Sequence, residues 1–251
     1  MVAPDPIQLA IAAGVTLIAG LVKGTIGFAM PMILISAFSA FLPAPLALAL
    51  MILPTLVTNI VQAFWQGRAA AWASVGKFRL HIGAVIVGLM ISSQFVTLIP
   101  QTALLAGLGA PILGFALWQL AGQNLAMPIR HRARAEIALG LVGGLYGGIS
   151  GIWGPPLLVL LLSLHTEKQE ALRVQGVVFL IGSLVLTGAH LASGVLNAQT
   201  LPLSALMVIP ALIGNLVGLA VQNRLDAQRF RHWTLILLAL TGANLLRQAL
   251  V

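Results

Sequence analysis

The chain of 251 residues carries 13 Lys or Arg and 5 Asp or Glu, only 7% charged, where a soluble domain of this length would carry roughly 60 such residues. With 59% hydrophobic residues and a mean hydropathy of +1.04 it has more apolar surface than one buried core absorbs, so its solvent is lipid. The lack of cysteine excludes disulfide frameworks, thiolate nucleophiles and cysteine-ligated metals, and a net charge of +8 spread in short clusters between apolar stretches is not the basic face of a nucleic-acid binder.

Met1 to Leu9 contains Asp5 and no Lys or Arg, so it lacks the basic start of a signal peptide, and the first apolar stretch reads as retained. Crossing a hydrocarbon core of about 30 Å takes about 20 helical residues. Apolar runs that predict helices follow at 7–42, 44–65, 80–98, 102–121, 136–163, 172–193, 203–222 and 233–250. Six have single-crossing length. The segments 7–42 and 136–163 would run to about 54 Å and 42 Å as straight helices. Each holds a glycine-rich interruption ending in proline, Gly20-Leu21-Val22-Lys23-Gly24-Thr25-Ile26-Gly27-Phe28-Ala29-Met30-Pro31 and Gly143-Gly144-Leu145-Tyr146-Gly147-Gly148-Ile149-Ser150-Gly151-Ile152-Trp153-Gly154-Pro155-Pro156, so both are predicted to be broken helices.

At a constant offset of 124 the interruptions match Gly20 to Gly144, Gly24 to Gly148, Gly27 to Gly151 and Pro31 to Pro155. Such a match near half the chain length marks an internal duplication. It divides the chain into a first repeat at 1–122, a basic linker at 123–135 and a second repeat at 136–251, within one membrane domain. The cations then set the topology. Eleven of 13 fall in predicted loops: Arg68, Lys77 and Arg79 in 66–79, Arg130, Arg132 and Arg134 in 122–135, Lys168 and Arg173 in 164–173, and Arg224, Arg229 and Arg231 in 223–232. Cytoplasmic loops collect Lys and Arg, and these four share a side only if 136–163, and by duplication 7–42, enter and leave on the same face. The expected fold is an all-α polytopic membrane protein of two inverted repeats, each a re-entrant broken hairpin plus three transmembrane helices. It sits in the cell (inner) membrane with its basic loops cytoplasmic and both termini extracytoplasmic.

Backbone released from helical pairing at membrane depth must be buried in protein or line a wet cavity. Glycine allows close approach to the main chain, and a half-helix starting at Pro31 or Pro155 aims free N–H groups and a positive dipole end at the break, an arrangement suited to an anion. Lys23 is the one cation inside a break; it reads as an anion-binding residue, with snorkelling to an interface as the competing reading. Its counterpart is Gly147, so the site is asymmetric in charge. The acids Asp5, Glu136, Glu167, Glu170 and Asp226 all lie in or beside predicted loops, which argues against a cation path. The candidate substrate-binding residues are Lys23, Gly24, Thr25, Gly27, Asn59, Gly148, Ser150, Gly151 and Gln175; for the glycines and the neutral polar residues, helix packing and interhelical hydrogen bonds are the competing reading. His190 is a lone histidine near a helix end, read as structural unless it couples protons.

The duplicated breaks, Gly20-x-x-Lys23-Gly24-x-x-Gly27-Phe28 with Pro31 and Gly144-x-x-x-Gly148-x-x-Gly151-x-x-Gly154-Pro155-Pro156, resemble the sulfite exporter TauE/SafE (TSUP) family of membrane transporters over nearly the whole chain. The resemblance implies a secondary transporter of sulfite, sulfoacetate or related organic anions, with no cofactor. The site expected is one near the midplane where the two breaks meet, served by alternating access. The partners are a small anionic substrate and the bilayer, with room for a homo-oligomer and no nucleic acid. A reading of another class is a rhomboid-like intramembrane serine protease, in which Ser150 of Gly148-Ile149-Ser150-Gly151 would pair with His190.

Overall fold

The computed structural model describes residues 4–95, 98–222 and 227–250. Their regular structure is helical: α1 (Pro6–Ile26), α2 (Met30–Phe38), α3 (Ala44–Phe64), α4 (Arg68–Lys77), α5 (Arg79–Ser92), a 3-10 turn (Ser93–Phe95), α6 (Gln101–Leu120), α7 (Arg132–Ser150), α8 (Gly154–Ser163), α9 (Lys168–Ala192), α10 (Thr200–Val221) and α11 (Ala227–Leu250). Six of these, α1, α3, α6, α9, α10 and α11, contain an apolar stretch long enough to cross a membrane, and α4 with α5 and the 3-10 turn forms another that is bent by 79°. The protein is an all-α polytopic membrane protein.

Every predicted apolar segment contains helix, but three expectations about helix ends need correction. The predicted loop 66–79 is mostly α4. Its run Ala69-Ala70-Ala71 favours helix, and Arg173 of α9 holds it by donating to Ser74 Oγ at 3.0 Å and to Gln66 Oε1 at 2.7 Å. Second, α7 starts at Arg132, within the stretch expected as linker, α9 starts at Lys168, and α11 starts at Ala227, so Arg132, Arg134, Lys168, Arg173, Arg229 and Arg231 are helical. Lys and Arg extend helices readily, so basic residues at the ends of apolar runs lengthen them. Third, Glu136 is not beside a loop but buried in the second turn of α7, where Arg132 reaches it at 2.6 Å across one helical turn. Arg224, Asp226 and residues 96–97 lie outside the described residues.

The glycine runs are also more helical than expected. α1 continues through Gly20 and Gly24 to Ile26, and α7 through Gly144 and Gly148 to Ser150, so each break spans only three residues, 27–29 and 151–153. The arms are therefore unequal. α1 and α7 have 21 and 19 residues, whereas α2 and α8 have 9 and 10, and short arms of about 13–15 Å cannot cross a bilayer.

The helices gather into two compact units, one of residues 1–58, 100–121 and 194–251 and the other of 59–99 and 122–193. Each takes segments from both sequence halves. In the first, α1 runs against α10, α6 against α11, and Ser36 of α2 donates to Thr241 O of α11 at 2.9 Å. In the second, α7 runs against α5, and α9 packs on α4 and α5.

One helix crossing is built twice, once in each unit. In the first, a Cβ added to Gly20 would lie 2.5 Å from Ala211 O, and one added to Gly24 would strike Asn215 O and come within 2.8 Å of Leu219 N. In the second, a Cβ on Gly144 would strike Val85 O, and one on Gly148 would lie 2.8 Å from Leu89 O and 2.9 Å from Ser93 N. Stepping 124 residues from α1 to α7 and 126 from α5 to α10 turns one set of contacts into the other. Small residues let the backbones approach this closely in a membrane, where dispersion and interhelical hydrogen bonds hold helices together.

Candidate functional site

The first break begins where the N–H of Gly27, at φ 88°, closes the last turn of α1 on Lys23 O at 2.7 Å. Only a residue free of Cβ strain enters the left-handed region without cost. Ala29 follows at φ 78°, and α2 restarts at Met30 with Pro31 in its first turn and no side chain capping its amides. Lys23 lies in the last turn of α1 and is 2% exposed. Its Nζ donates to Thr58 Oγ1 at 2.8 Å, and that hydroxyl donates to Pro54 O at 2.7 Å.

Proline explains this stretch of α3. Pro54 has no N–H, so Leu50 O loses its partner inside the helix. Ser204 of α10, fully buried, reaches in to donate to Leu50 O at 3.5 Å and accepts from Leu53 N–H at 3.1 Å. Freed backbone groups in an apolar core are met by a neighbouring hydroxyl, as the lack of water there requires.

The second break repeats the backbone and changes the side chains. Gly151, at φ 71°, closes α7 on Gly147 O at 2.7 Å, and α8 restarts at Gly154 ahead of Pro155, again without a side-chain cap. Ser150 Oγ donates to Tyr146 O at 2.7 Å and accepts from Ile152 N–H at 3.0 Å, bridging the break. Where the first break has Lys23 the second has Gly147, and the room is filled by Trp153. A Cβ on Gly147 would meet its Cε3 at 2.8 Å, and one on Gly182 of α9 would meet Cε2 and Cζ2 at 2.8 Å. The indole stands edge-on to Phe179, 6.2 Å between ring centroids. Nearby, Asn59 Nδ2 donates on α9 to the backbone Phe179 O at 3.0 Å and to the Ser183 Oγ hydroxyl at 3.2 Å.

A family model described as sulfite exporter TauE/SafE matches residues 12–245, from inside α1 to near the end of α11. The chain belongs to the sulfite exporter TauE/SafE family. No match was found among curated proteins or among solved structures. As a TauE/SafE family member the chain is a membrane transport protein.

Within this TauE/SafE chain the predicted site residues separate into kinds. Lys23 and Gly27 stand at the first break, and Ser150 and Gly151 at the second. Thr25 turns its hydroxyl back to Val22 O at 2.7 Å on its own helix. Gly24 and Gly148 face α10 and α5 at the crossings described above. Asn59 and Gln175 are buried on α3 and α9, and Gln175 Oε1 has no hydrogen-bond partner among the described residues. The candidate protease pair is not assembled. Ser150 is occupied by Tyr146 and Ile152, and neither ring nitrogen of buried His190 has a hydrogen-bond partner among the described residues.

Sequence reasoning missed Thr58, Ser204 and Trp153. Thr58 and Ser204 carried a weak signal, since an in-helix proline such as Pro54 calls for a compensating hydroxyl without saying which. Trp153 carried a stronger one. At offset 124, Lys23 aligns with Gly147, Thr58 with Gly182 and Ala29 with Trp153, so the second break has two side chains fewer and one large one more.

Proposed function

We propose that the chain is a secondary transporter of a small oxyanion, sulfite or an organosulfonate, and not an enzyme. The observation that carries this reading is the burial of the Lys23 ammonium in the last turn of α1, immediately before a break whose restarted helix has an uncapped N-terminus. A buried cation beside a positive helix end attracts an anion and repels cations. The family description, sulfite exporter, points to the same substrate class. Gly27, Ser150 and Gly151 shape the two breaks, and Lys23 provides the charge. Alternating access of the substrate to the two faces completes the mechanism, and no cofactor takes part.

The two sequence halves act as inverted repeats, 1–122 and 136–251, in which each broken segment enters and leaves on one face of the cell (inner) membrane. The twofold construction of the helix crossing supports this arrangement. The basic ends of α4, α7, α9 and α11 face the cytoplasm.

Purified protein in proteoliposomes should move radiolabelled sulfite or a sulfonate saturably, above protein-free vesicles. Flux equal to that of empty vesicles across an anion panel would reject the assignment. Topology has its own test in this cysteine-free chain. Single cysteines at Asn124 and Glu167, on either side of the second broken segment, should react with an impermeant maleimide from the same face; labelling from opposite faces would remove the hairpin.

A further inference from the structure

We propose that Trp153 is the second break's counterpart of Lys23, an uncharged N–H donor to an oxygen of the transported anion; this rests on reading the chain as an anion transporter. The two donors reach equivalent places by different routes. In the first repeat Lys23 extends from the end of α1, and its Nζ meets Thr58 on α3. In the second, the counterparts of Lys23 and Thr58 are Gly147 and Gly182, and the slot left by two missing side chains holds the indole of Trp153. Its Nε1 would lie 3.0 Å from a Cβ on Gly182. An N–H donor therefore faces residue 58 in one repeat and residue 182 in the other.

The indole N–H is sealed. Trp153 is 4% exposed, and Nε1 has no hydrogen-bond partner among the described residues. Buried donors are nearly always paired, and one that is not asks for an explanation. Indole nitrogen donates and cannot accept, so its missing partner is an acceptor. Phe179 stands against the ring, and Gly147 and Gly182 face it. An oxygen of a sulfite or sulfonate group fits such a place. Trp153 also sits at the start of α8, a ten-residue arm whose first amides have no side-chain cap and which follows the left-handed Gly151. Rotation of that arm about the break carries the indole off Gly182 and opens the N–H to substrate.

The other four tryptophans, Trp65, Trp72, Trp118 and Trp233, are 53–68% exposed. Replacing them with Phe leaves Trp153 as the sole tryptophan emitter, with the site untouched. Sulfite is then expected to change its emission saturably, with half the effect at the concentration that half-saturates transport. Separately, Trp153→Phe keeps a ring and removes the N–H; it should raise the KM for sulfite about tenfold or more while maximal rate and melting temperature stay near wild type, as loss of one hydrogen bond to a charged group implies. If the single-tryptophan protein transports sulfite but its emission ignores saturating sulfite, the proposal is overturned. An unchanged KM in Trp153→Phe overturns it as well. Should Trp153→Phe fail to fold, the emission result decides alone. Absence of sulfite and sulfonate transport by the wild-type protein defeats the anion-transporter reading and takes this proposal with it.

Discussion

At the first break a lysine from the end of α1 meets Thr58 on α3, and at the second a tryptophan from beyond the break fills the space between Gly147 and Gly182. The backbones of the two regions correspond: a left-handed glycine closes the long arm, two residues intervene, and a short helix restarts with proline in its first turn. The glycines that set the helix crossings correspond too. The scaffold is the same at the two breaks, and the side chains beside them differ.

The comparison can be broken most forcefully at the crossings. Gly24→Val and Gly148→Val each push a branched side chain into the facing backbone, and each should cost roughly 3 kcal/mol or more, seen as lost monodisperse protein or a lower melting temperature in detergent. The two losses should be similar; tolerance of either one would show that the crossings are not equivalent.

A smaller effect separates the two sides. Ser204→Ala strands Leu50 O beside Pro54 and removes the side-chain partner of Leu53 N–H, at a cost of about 2 kcal/mol in thermal unfolding. α9 has Val178 at the position equivalent to Pro54 and keeps its ladder N–H there, so the second side needs no such rescue. Smaller again, Gly27→Ala and Gly151→Ala should each lose about 1 to 1.5 kcal/mol for forcing a Cβ into the left-handed region. The smallest change is a gain. Ala29 already sits at φ 78°, so Ala29→Gly should raise stability by about 1 kcal/mol, an opportunity absent at Trp153, whose φ is −125°. No gain at Ala29 would mean that its methyl group contributes packing equal to the strain.

The helices were legible because lipid demands apolar runs of fixed length, and the breaks were legible because two runs were too long and carried glycine with proline. Where each break falls was not. Glycine permits both a continuous helix packed closely on a neighbour and a left-handed turn, and the choice at Gly24 against Gly27 is made by what stands opposite, Asn215 and Gly218 of α10. The same ambiguity holds at Gly24 and Gly148, candidate site residues whose competing reading is helix packing and which stand at helix crossings. α4 was hidden for the opposite reason. Its charged ends and low apolar content read as a loop, although alanines and the hold of Arg173 make it a helix. Lys23 stood out as the one cation inside a glycine-rich break, but Thr58 did not, since it lies 35 residues away on a helix whose facing could not be read from periodicity alone.

The most direct test is sulfite transport by Lys23→Met in proteoliposomes. Methionine keeps the length and flexibility of the side chain and removes the ammonium, so the fold, checked by melting temperature and elution in detergent, should persist. Loss of a charge-assisted contact predicts a KM for sulfite raised roughly 10- to 100-fold. A folded Lys23→Met protein that transports sulfite with wild-type KM and rate would contradict the assignment of the first break as the anion site.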